Sequence, residues 1–243
     1  MQNGREAAGM PRYRARMAPR FRSTLPEVYE RLRTRFGPAG WWPADTPFEV
    51  ALGAILVQNT SWTNVSRVLG GLRDRGLLSH RALHPLAVPE LAELFRASGA
   101  FNVKARRVRA FLDFLEDAYG GVIERMAAAE PGALREALLA VPGIGPETAD
   151  CIVLYAAGHP SFVVDAYTRR VFGRLGLLRG GETYDGVQGL FHGRLPADPA
   201  LFNDYHAQIV RVAKDFCRPR PLCAACPLDE ACARVGVAPG SRA

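Results

Sequence analysis

The feature that most constrains this chain is the segment P-G-I-G at residues 142–145, which separates two apolar helical patterns. Proline cannot continue the helix predicted over 131–139, and the two glycines can adopt positive φ at little steric cost. Pro146 suits the first turn of a second helix, because its missing N–H is no loss there. The segment therefore predicts a helix, a tight hairpin and a second helix. The backbone N–H groups at such a hairpin would bind an anion such as a phosphate.

A carboxylate follows a buried segment twenty residues after the hairpin. Asp165 comes directly after the apolar residues 162–164 and before a predicted helix that carries three arginines. A carboxylate at the edge of a buried segment, close to a phosphate-binding hairpin, is a candidate catalytic group. The same position also suits the N-cap of the following helix. One side chain can fill both roles, and the local pattern favours neither over the other.

Four of the five cysteines lie close together near the C-terminus, in the spacing C-x5-C-x2-C-x5-C. Thiolates gathered in this way hold either an iron–sulfur cluster or zinc. Structural zinc sites usually have two C-x2-C pairs, and this segment has one, which favours an iron–sulfur cluster over zinc. The predicted ligands are Cys217, Cys223, Cys226 and Cys232.

The hairpin, Asp165 and the cysteines, in this order, resemble the helix-hairpin-helix, Gly-Pro-Asp superfamily of DNA glycosylases. The similarity spans roughly residues 25–232 and points to the endonuclease III branch, and within it to the 3-methyladenine DNA glycosylase III type. It implies an all-α fold of two lobes. One is a six-helix barrel at 47–162, and the other is a helical lobe formed by 23–46 and 163–243. The cysteines correspond to the family's [4Fe-4S] loop, which typically has one more residue in its first gap.

The resemblance also assigns the DNA-contacting residues. The hairpin backbone binds phosphate, and a glutamine at the DNA face helps to fill the gap that an extruded nucleotide leaves. Aromatic side chains line the pocket for the extruded base. From the residues alone, the tryptophans are equally compatible with core packing, and the polar segment 58–60 with a capped helix junction. The predicted DNA contacts are Gln58, Asn59, Gly143, Ile144 and Gly145, and the predicted base pocket comprises Trp41, Trp42 and Trp62.

Basic residues crowd the start of a helix predicted over 103–119, whose apolar positions form one buried stripe. Positive charge at a helix N-terminus opposes the helix dipole, so local stability does not explain these residues. A phosphate-facing role explains them, the alternative being a solvated face. Lys104 is therefore a further candidate DNA contact.

Glu147 follows the hairpin proline. The strand-cleaving endonucleases III have a lysine at the matching position, whose amine attacks the sugar to form a Schiff base. Glutamate cannot form that adduct, and its alternative role is to favour the helix N-terminus electrostatically. With Asp165 and Glu147 as candidate catalytic residues, the resemblance implies a monofunctional glycosylase that releases damaged bases, alkylated purines foremost. The alternatives are a glycosylase for oxidised pyrimidines or mismatched bases, and a catalytically silent iron–sulfur DNA-binding protein.

The composition agrees with a nucleic-acid partner. The net charge of +7 favours an anionic ligand, and residues 1–22 form a basic segment that we expect to be disordered. No apolar run reaches the roughly 18 residues of a membrane helix, and the N-terminus lacks the apolar core of a signal peptide. We therefore expect a cytoplasmic, nucleoid-associated monomer that binds double-stranded DNA containing a damaged base.

Overall fold

The structure is a computed structural model that describes residues 24–39 and 44–238. Every regular element in these residues is helical, with no β-strand among them, which confirms the predicted all-α class. The α-helices are α1 (Leu25–Phe36), α2 (Pro47–Leu56), α3 (Trp62–Asp74), α4 (His80–Leu83), α5 (Val88–Leu94), α6 (Phe101–Tyr119), α7 (Pro131–Leu139), α8 (Pro146–Cys151), α9 (Ala166–Leu175), α10 (Tyr184–His192) and α11 (Pro199–Asp215).

The second helix, α2, is the central element of the first half of the chain. Thr46 caps it by accepting a hydrogen bond from Glu49 N at 3.2 Å, and Pro47 occupies its first turn. Residues 48–56 are all buried, as the unbroken apolar pattern predicts. Glu49 is the one charged residue among them, and Arg73 of α3 compensates its charge by a direct ion pair. Because the whole helix is buried, the polar residues 58–60 that follow it must leave the core and reach the surface.

Several element boundaries differ from the sequence prediction. The helix expected over 88–98 is α5 followed by a separate 3₁₀ turn at Arg96–Ser98, and α4 was not predicted. The helix expected to continue from α8 changes at Ile152–Ala156 into a π-helical turn. Such π turns are rare and often lie at functional sites. The hairpin itself forms as predicted, between α7 and α8.

One continuous apolar core joins the two ends of the described chain. Helix α1 packs against α11, where Tyr205 donates its hydroxyl proton to the Leu25 carbonyl at 2.8 Å and Tyr29 donates to Asp204 at 2.6 Å. The N-terminal helix therefore lies against the C-terminal part of the chain, while the two-lobe boundaries stay a prediction. Among the described residues, no helix has both the length and the apolar character that crossing a membrane requires.

Candidate active site

The hairpin between α7 and α8 presents its two glycines to solvent and buries the residue between them. Ile144 is buried in the core, whereas Gly143 and Gly145 are exposed. Gly143 has a φ of 90°, which a side chain would strain, and the Arg107 side chain already fills the space that a Cβ would need. Gly145 is the N-cap of α8. Burial of Ile144 thus fixes the turn that displays the backbone on either side of it.

Gln58 connects the end of α2 to this hairpin. Its side-chain amide donates to the Gly143 carbonyl at 3.1 Å and to the Thr148 hydroxyl at 2.8 Å, and its carbonyl accepts from Arg107. The neighbouring Asn59 is exposed and has a φ of 56°, a conformation that asparagine tolerates better than most residues. Gln58 and Asn59 therefore lie beside the hairpin, as a shared DNA face requires. Their contacts with DNA stay predictions.

The prediction that Lys104 faces phosphate is wrong for the side chain in this structure. Lys104 is only 2 % exposed, and its ammonium donates to the Ser98 carbonyl at 2.5 Å. Desolvation by burial, followed by the charge of Arg107, lowers the pKa of Lys104. The residue holds the 3₁₀ turn against the start of α6. Arg107, one helical turn further along, is the basic residue that reaches the hairpin.

Asp165 is the N-cap of α9 and is buried at the same time. Its Oδ1 accepts from Thr168 N at 2.7 Å and from the Thr168 hydroxyl at 2.9 Å. Its Oδ2 lies 3.5 Å from His206 Nε2, and the side chain is 12 % exposed. Burial raises the pKa of Asp165, but the His206 and Thr168 contacts outweigh it, so that the pKa is lowered overall. The carboxylate is thus capped through one oxygen and ionised, with the second oxygen not bound by the cap.

Glu147, on the first turn of α8, shares this environment. The residue is exposed on the surface beside the hairpin. Partial desolvation, with the negative charge of Asp165, raises the pKa of Glu147, while His206 acts in the opposite direction. The structure therefore brings the two predicted catalytic carboxylates close enough to influence each other. The pKa of Asp165 is lowered and the pKa of Glu147 is raised. Such a difference is typical of two carboxyl groups that have different roles in one active site.

Two residues of this site were missed by the sequence prediction. His206 of α11 lies beside Asp165, and Tyr155 of the π-helical turn contacts the other side of its ring, 2.7 Å from Nδ1. Both side chains belong to apolar helical patterns that indicate core positions, and their separation of 51 positions in the sequence hides their contact. The one available signal was the polar character of two residues on otherwise buried helix faces.

The aromatic residues of the predicted base pocket are described only in part. Trp41 and Trp42 lie outside the described residues. Trp62, at the start of α3, is half-buried and packs its ring against α2, where a Cβ on Gly53 would lie 3.2 Å from the ring. Gly53 thus admits the indole to a position that a larger residue would block. The role of Trp62 in holding a base stays a prediction.

The cysteine loop follows α11 and is held against α9. Arg170 Nε donates to the Cys217 carbonyl at 2.7 Å, and Arg174 Nη1 lies 3.4 Å from Cys217 Sγ. The other end of the loop returns to the same helix, where the Cys232 thiol donates to the Arg174 carbonyl at 3.4 Å. Helix α9, which Asp165 caps, therefore holds both ends of the cysteine loop on its later turns.

Comparison with known proteins agrees with this arrangement. Residues 52–196 match the model of the HhH-GPD superfamily of base excision DNA repair proteins. A Methanocaldococcus jannaschii protein, MJ1434, whose name assigns it to the DNA repair glycosylases, is 42 % identical over 208 residues, covering 85 % of this chain and 94 % of that protein.

Solved structures share the fold. Endonuclease III in a non-covalent DNA complex superposes with a TM-score of 0.73 at 23 % identity, covering 85 % of this chain and 92 % of its own. The H. pylori 3-methyladenine DNA glycosylase MagIII, bound to 1,N6-ethenoadenine, has a TM-score of 0.68 at 27 % identity, covering 77 % and 96 %. The chain therefore belongs to the HhH-GPD superfamily of base excision DNA repair proteins and is a DNA glycosylase.

Proposed function

We propose that this protein is a monofunctional glycosylase that extrudes damaged bases, above all alkylated purines, from double-stranded DNA and hydrolyses their N-glycosyl bonds. The observation that carries the proposal is the carboxyl pair of Asp165 and Glu147. Asp165 is ionised and buried, and the residue on the adjacent first turn of α8 is an acid and not an amine. A site with two carboxyl groups can stabilise a cation and direct water, but it cannot form a Schiff base with the sugar.

In this mechanism Asp165 acts on the sugar. As the bond to the base breaks, positive charge grows on the sugar, and a buried carboxylate stabilises that charge more strongly than solvent would. Asp165 Oδ2, which the Thr168 cap does not bind, also orients the attacking water. An alkylated purine is already cationic and leaves readily, so that no further covalent catalyst is needed.

The DNA partner follows from the arrangement around the hairpin. Gly143 and Gly145 would bind phosphate through their backbone N–H groups, as helix N-termini and tight turns do. Ile144, also a predicted contact, donates its N–H to the Val141 carbonyl at 3.1 Å and would instead hold the shape of the turn. Gln58, already hydrogen-bonded to the hairpin, would fill the space of the extruded nucleotide. Extrusion costs roughly a few kcal/mol of stacking and pairing, which is least for a damaged base.

The base pocket would be aromatic. Trp41, Trp42 and Trp62 would enclose the base, and each aromatic face contributes about 0.5–2 kcal/mol of attraction to a cation. The relative in this structural class whose bound ligand is a modified adenine, MagIII, supports a modified purine as the substrate.

We also propose that Cys217, Cys223, Cys226 and Cys232 hold a [4Fe-4S] cluster. Within the described part of the chain, no three of these sulfur atoms lie within 4.8 Å of one another. A single tetrahedral zinc ion, with Zn–S bonds of about 2.3 Å, would hold its sulfurs closer than that. The single C-x2-C pair of the loop, where structural zinc sites usually have two, supports the cluster over zinc. When bound, the cluster would supply four iron–thiolate bonds that close the loop against α9.

Absorption spectroscopy tests the cluster. We expect purified protein to be yellow-brown with a broad visible band, and Cys223→Ser to lose that band. Cys151→Ser is the matched control, because Cys151 is buried in α8 and does not belong to the cysteine loop. Colourless wild-type protein with stoichiometric zinc would refute the assignment.

A panel of DNA duplexes, each with one defined lesion, tests the substrate and the mechanism together. We expect release of alkylated purines, and strand breaks only after hot alkali. Asp165→Asn serves as the inactive control. Preferred release of oxidised pyrimidines or mismatched bases would assign an endonuclease III-type specificity instead. Tight DNA binding without release of any base would support a non-catalytic DNA-binding protein.

A further inference from the structure

A buried histidine–tyrosine pair stands behind the catalytic carboxylate. His206 is 4 % exposed, and its Nδ1 lies 2.7 Å from the Tyr155 hydroxyl. Its Nε2 lies 3.5 Å from Asp165 Oδ2 and has no hydrogen-bond partner within the described chain. A buried polar atom without a partner is rare in folded proteins, and here it faces the one Asp165 oxygen that the helix cap does not bind.

The carboxylate beside Nε2 favours one tautomer of the histidine. A tyrosine hydroxyl can donate to Nδ1 or accept from it, and burial raises the pKa of Tyr155, so its hydroxyl keeps a proton to donate. An imidazole that accepts this hydrogen bond at Nδ1 carries its own proton on Nε2, which lies 3.5 Å from Asp165 Oδ2. The opposite tautomer would place the Nε2 lone pair against a carboxylate oxygen, which is repulsive.

The other ionisable groups around Asp165 cannot provide this donor. Glu147 and Cys151 face it from α8, and Tyr155 faces it from the π-helical turn. The first two become anions when they ionise, and the Tyr155 proton is directed at the histidine. Among these groups of the described structure, His206 is thus the one that can donate a hydrogen bond to Asp165 Oδ2, the oxygen that the helix cap does not bind.

We propose that His206, oriented by Tyr155, is a positioning residue that keeps the Asp165 carboxylate ionised and directed at the substrate. The proposal rests on the proposed catalytic role of Asp165. In the unbound protein the Nε2–Oδ2 distance is long for a hydrogen bond, and such contacts tighten when substrate closes the site. His206 donates to one acceptor site of Oδ2 and leaves the other to the attacking water, while Thr168 binds Oδ1.

The first test is the pH dependence of single-turnover base release. In His206→Leu the donor is lost, so the pKa of Asp165 rises and the acid limb of the profile moves to higher pH. A move of one pH unit corresponds to an about tenfold slower rate at a given pH on that limb. Affinity for the damaged duplex should stay within about twofold, because phosphate contacts lie elsewhere.

Two further variants separate positioning from folding. His206→Gln retains an amide N–H near the position of Nε2 and should recover most of the wild-type profile. Tyr155→Phe keeps the ring packing but releases the tautomer, and should move the acid limb by less than His206→Leu does. A uniform rate loss at every pH in all three variants, with an unmoved limb, would refute the proposal.

The second test does not need activity. The chain has five histidines, so nitrogen-15 spectra of their imidazoles can be assigned by substitution. We expect His206 in the wild type to carry its proton on Nε2, and Tyr155→Phe to change that signal. A proton on Nδ1 in the wild type would overturn the inference. If no lesion is released, the proposed function fails, and the tautomer still decides whether the pair is oriented as inferred.

Discussion

Two buried aspartates fifteen residues apart have opposite surroundings. Asp150, near the end of α8, is fully buried, and Arg135 donates to both of its oxygens at 2.9 and 3.2 Å. Ser161 adds a third hydrogen bond to Oδ1 at 2.5 Å. Asp165 has one oxygen capped by Thr168, and its other oxygen has only a long contact.

The difference shows what separates a structural carboxylate from a catalytic one. The Asp150 charge is neutralised by a guanidinium in bidentate geometry, which leaves no oxygen available to a ligand. Thr168 binds one oxygen of Asp165, and the other oxygen has only the 3.5 Å contact with His206 Nε2. Both aspartates are buried. They differ in how many of their carboxylate oxygens are occupied by hydrogen bonds within the protein.

The largest effect should come from Asp165→Asn. The substitution removes the charge that stabilises the developing sugar cation, and we expect base release to slow by about 10²–10⁴-fold in single-turnover assays. Asparagine is as good an N-cap as aspartate, so the melting temperature should change little. Normal turnover by this variant would reduce Asp165 to a helix cap and remove the contrast with Asp150.

The same chemical change at Asp150 should act on stability instead. Asp150→Asn leaves the half-buried Arg135 guanidinium without its buried counter-charge, and loss of one partner of such a pair costs about 3–5 kcal/mol. Chemical denaturation measures this free energy of unfolding, while base release per folded molecule should persist.

Asp185→Asn is the matched control for that measurement. Asp185 pairs with the same arginine at 2.8 Å, but on the exposed side. Its loss should cost no more than about 1 kcal/mol. Equal costs at the two positions would mean that burial does not set the strength of this ion pair.

The hairpin, the all-α class and the candidacy of Asp165 were predictable because each depends on neighbours in sequence. Proline and glycine break a helix locally, and a carboxylate after an apolar segment marks a helix start. Asp150 was not identified, since nothing near it in sequence shows that Arg135 neutralises it. His206 was missed for the same reason, because its partners come from other helices.

Lys104 illustrates a different failure. Its charge indicated a surface role, but it lies four residues before Val108 on the same buried stripe of α6. The helical spacing that predicted the stripe also places Lys104 on it. The position of Lys104 along the helix, and not its charge, determines that its side chain is buried. Arg107, off the stripe, is the residue that reaches the hairpin.

A smaller effect is expected from Glu147→Lys, which should gain a covalent reaction with the sugar in low yield. The substitution places an amine on the first turn of α8, beside Asp165. Desolvation lowers the pKa of such an amine and the ionised Asp165 raises it, so only a small part of the amine is deprotonated and able to attack the sugar. Borohydride should then trap a covalent protein–DNA complex with the variant and none with the wild type. Efficient trapping by the wild type, through Lys104, Lys214 or the N-terminal amine, would end the monofunctional assignment.

The smallest effect should come from Glu147→Gln, which tests the order in which the two carboxyl groups titrate. The pKa of Glu147 is raised and the pKa of Asp165 is lowered, so Glu147 already carries its proton in the pH range where Asp165 takes one up. A neutral glutamine in its place should therefore leave the acid limb of base release where it is in the wild type, in contrast to the shift expected for His206→Leu. Glu136→Gln, at an exposed glutamate of α7, is the control for an unrelated loss of charge. An acid limb that moves in Glu147→Gln but not in Glu136→Gln would mean that Glu147 is charged while Asp165 titrates, and that the two carboxyl groups act as one unit.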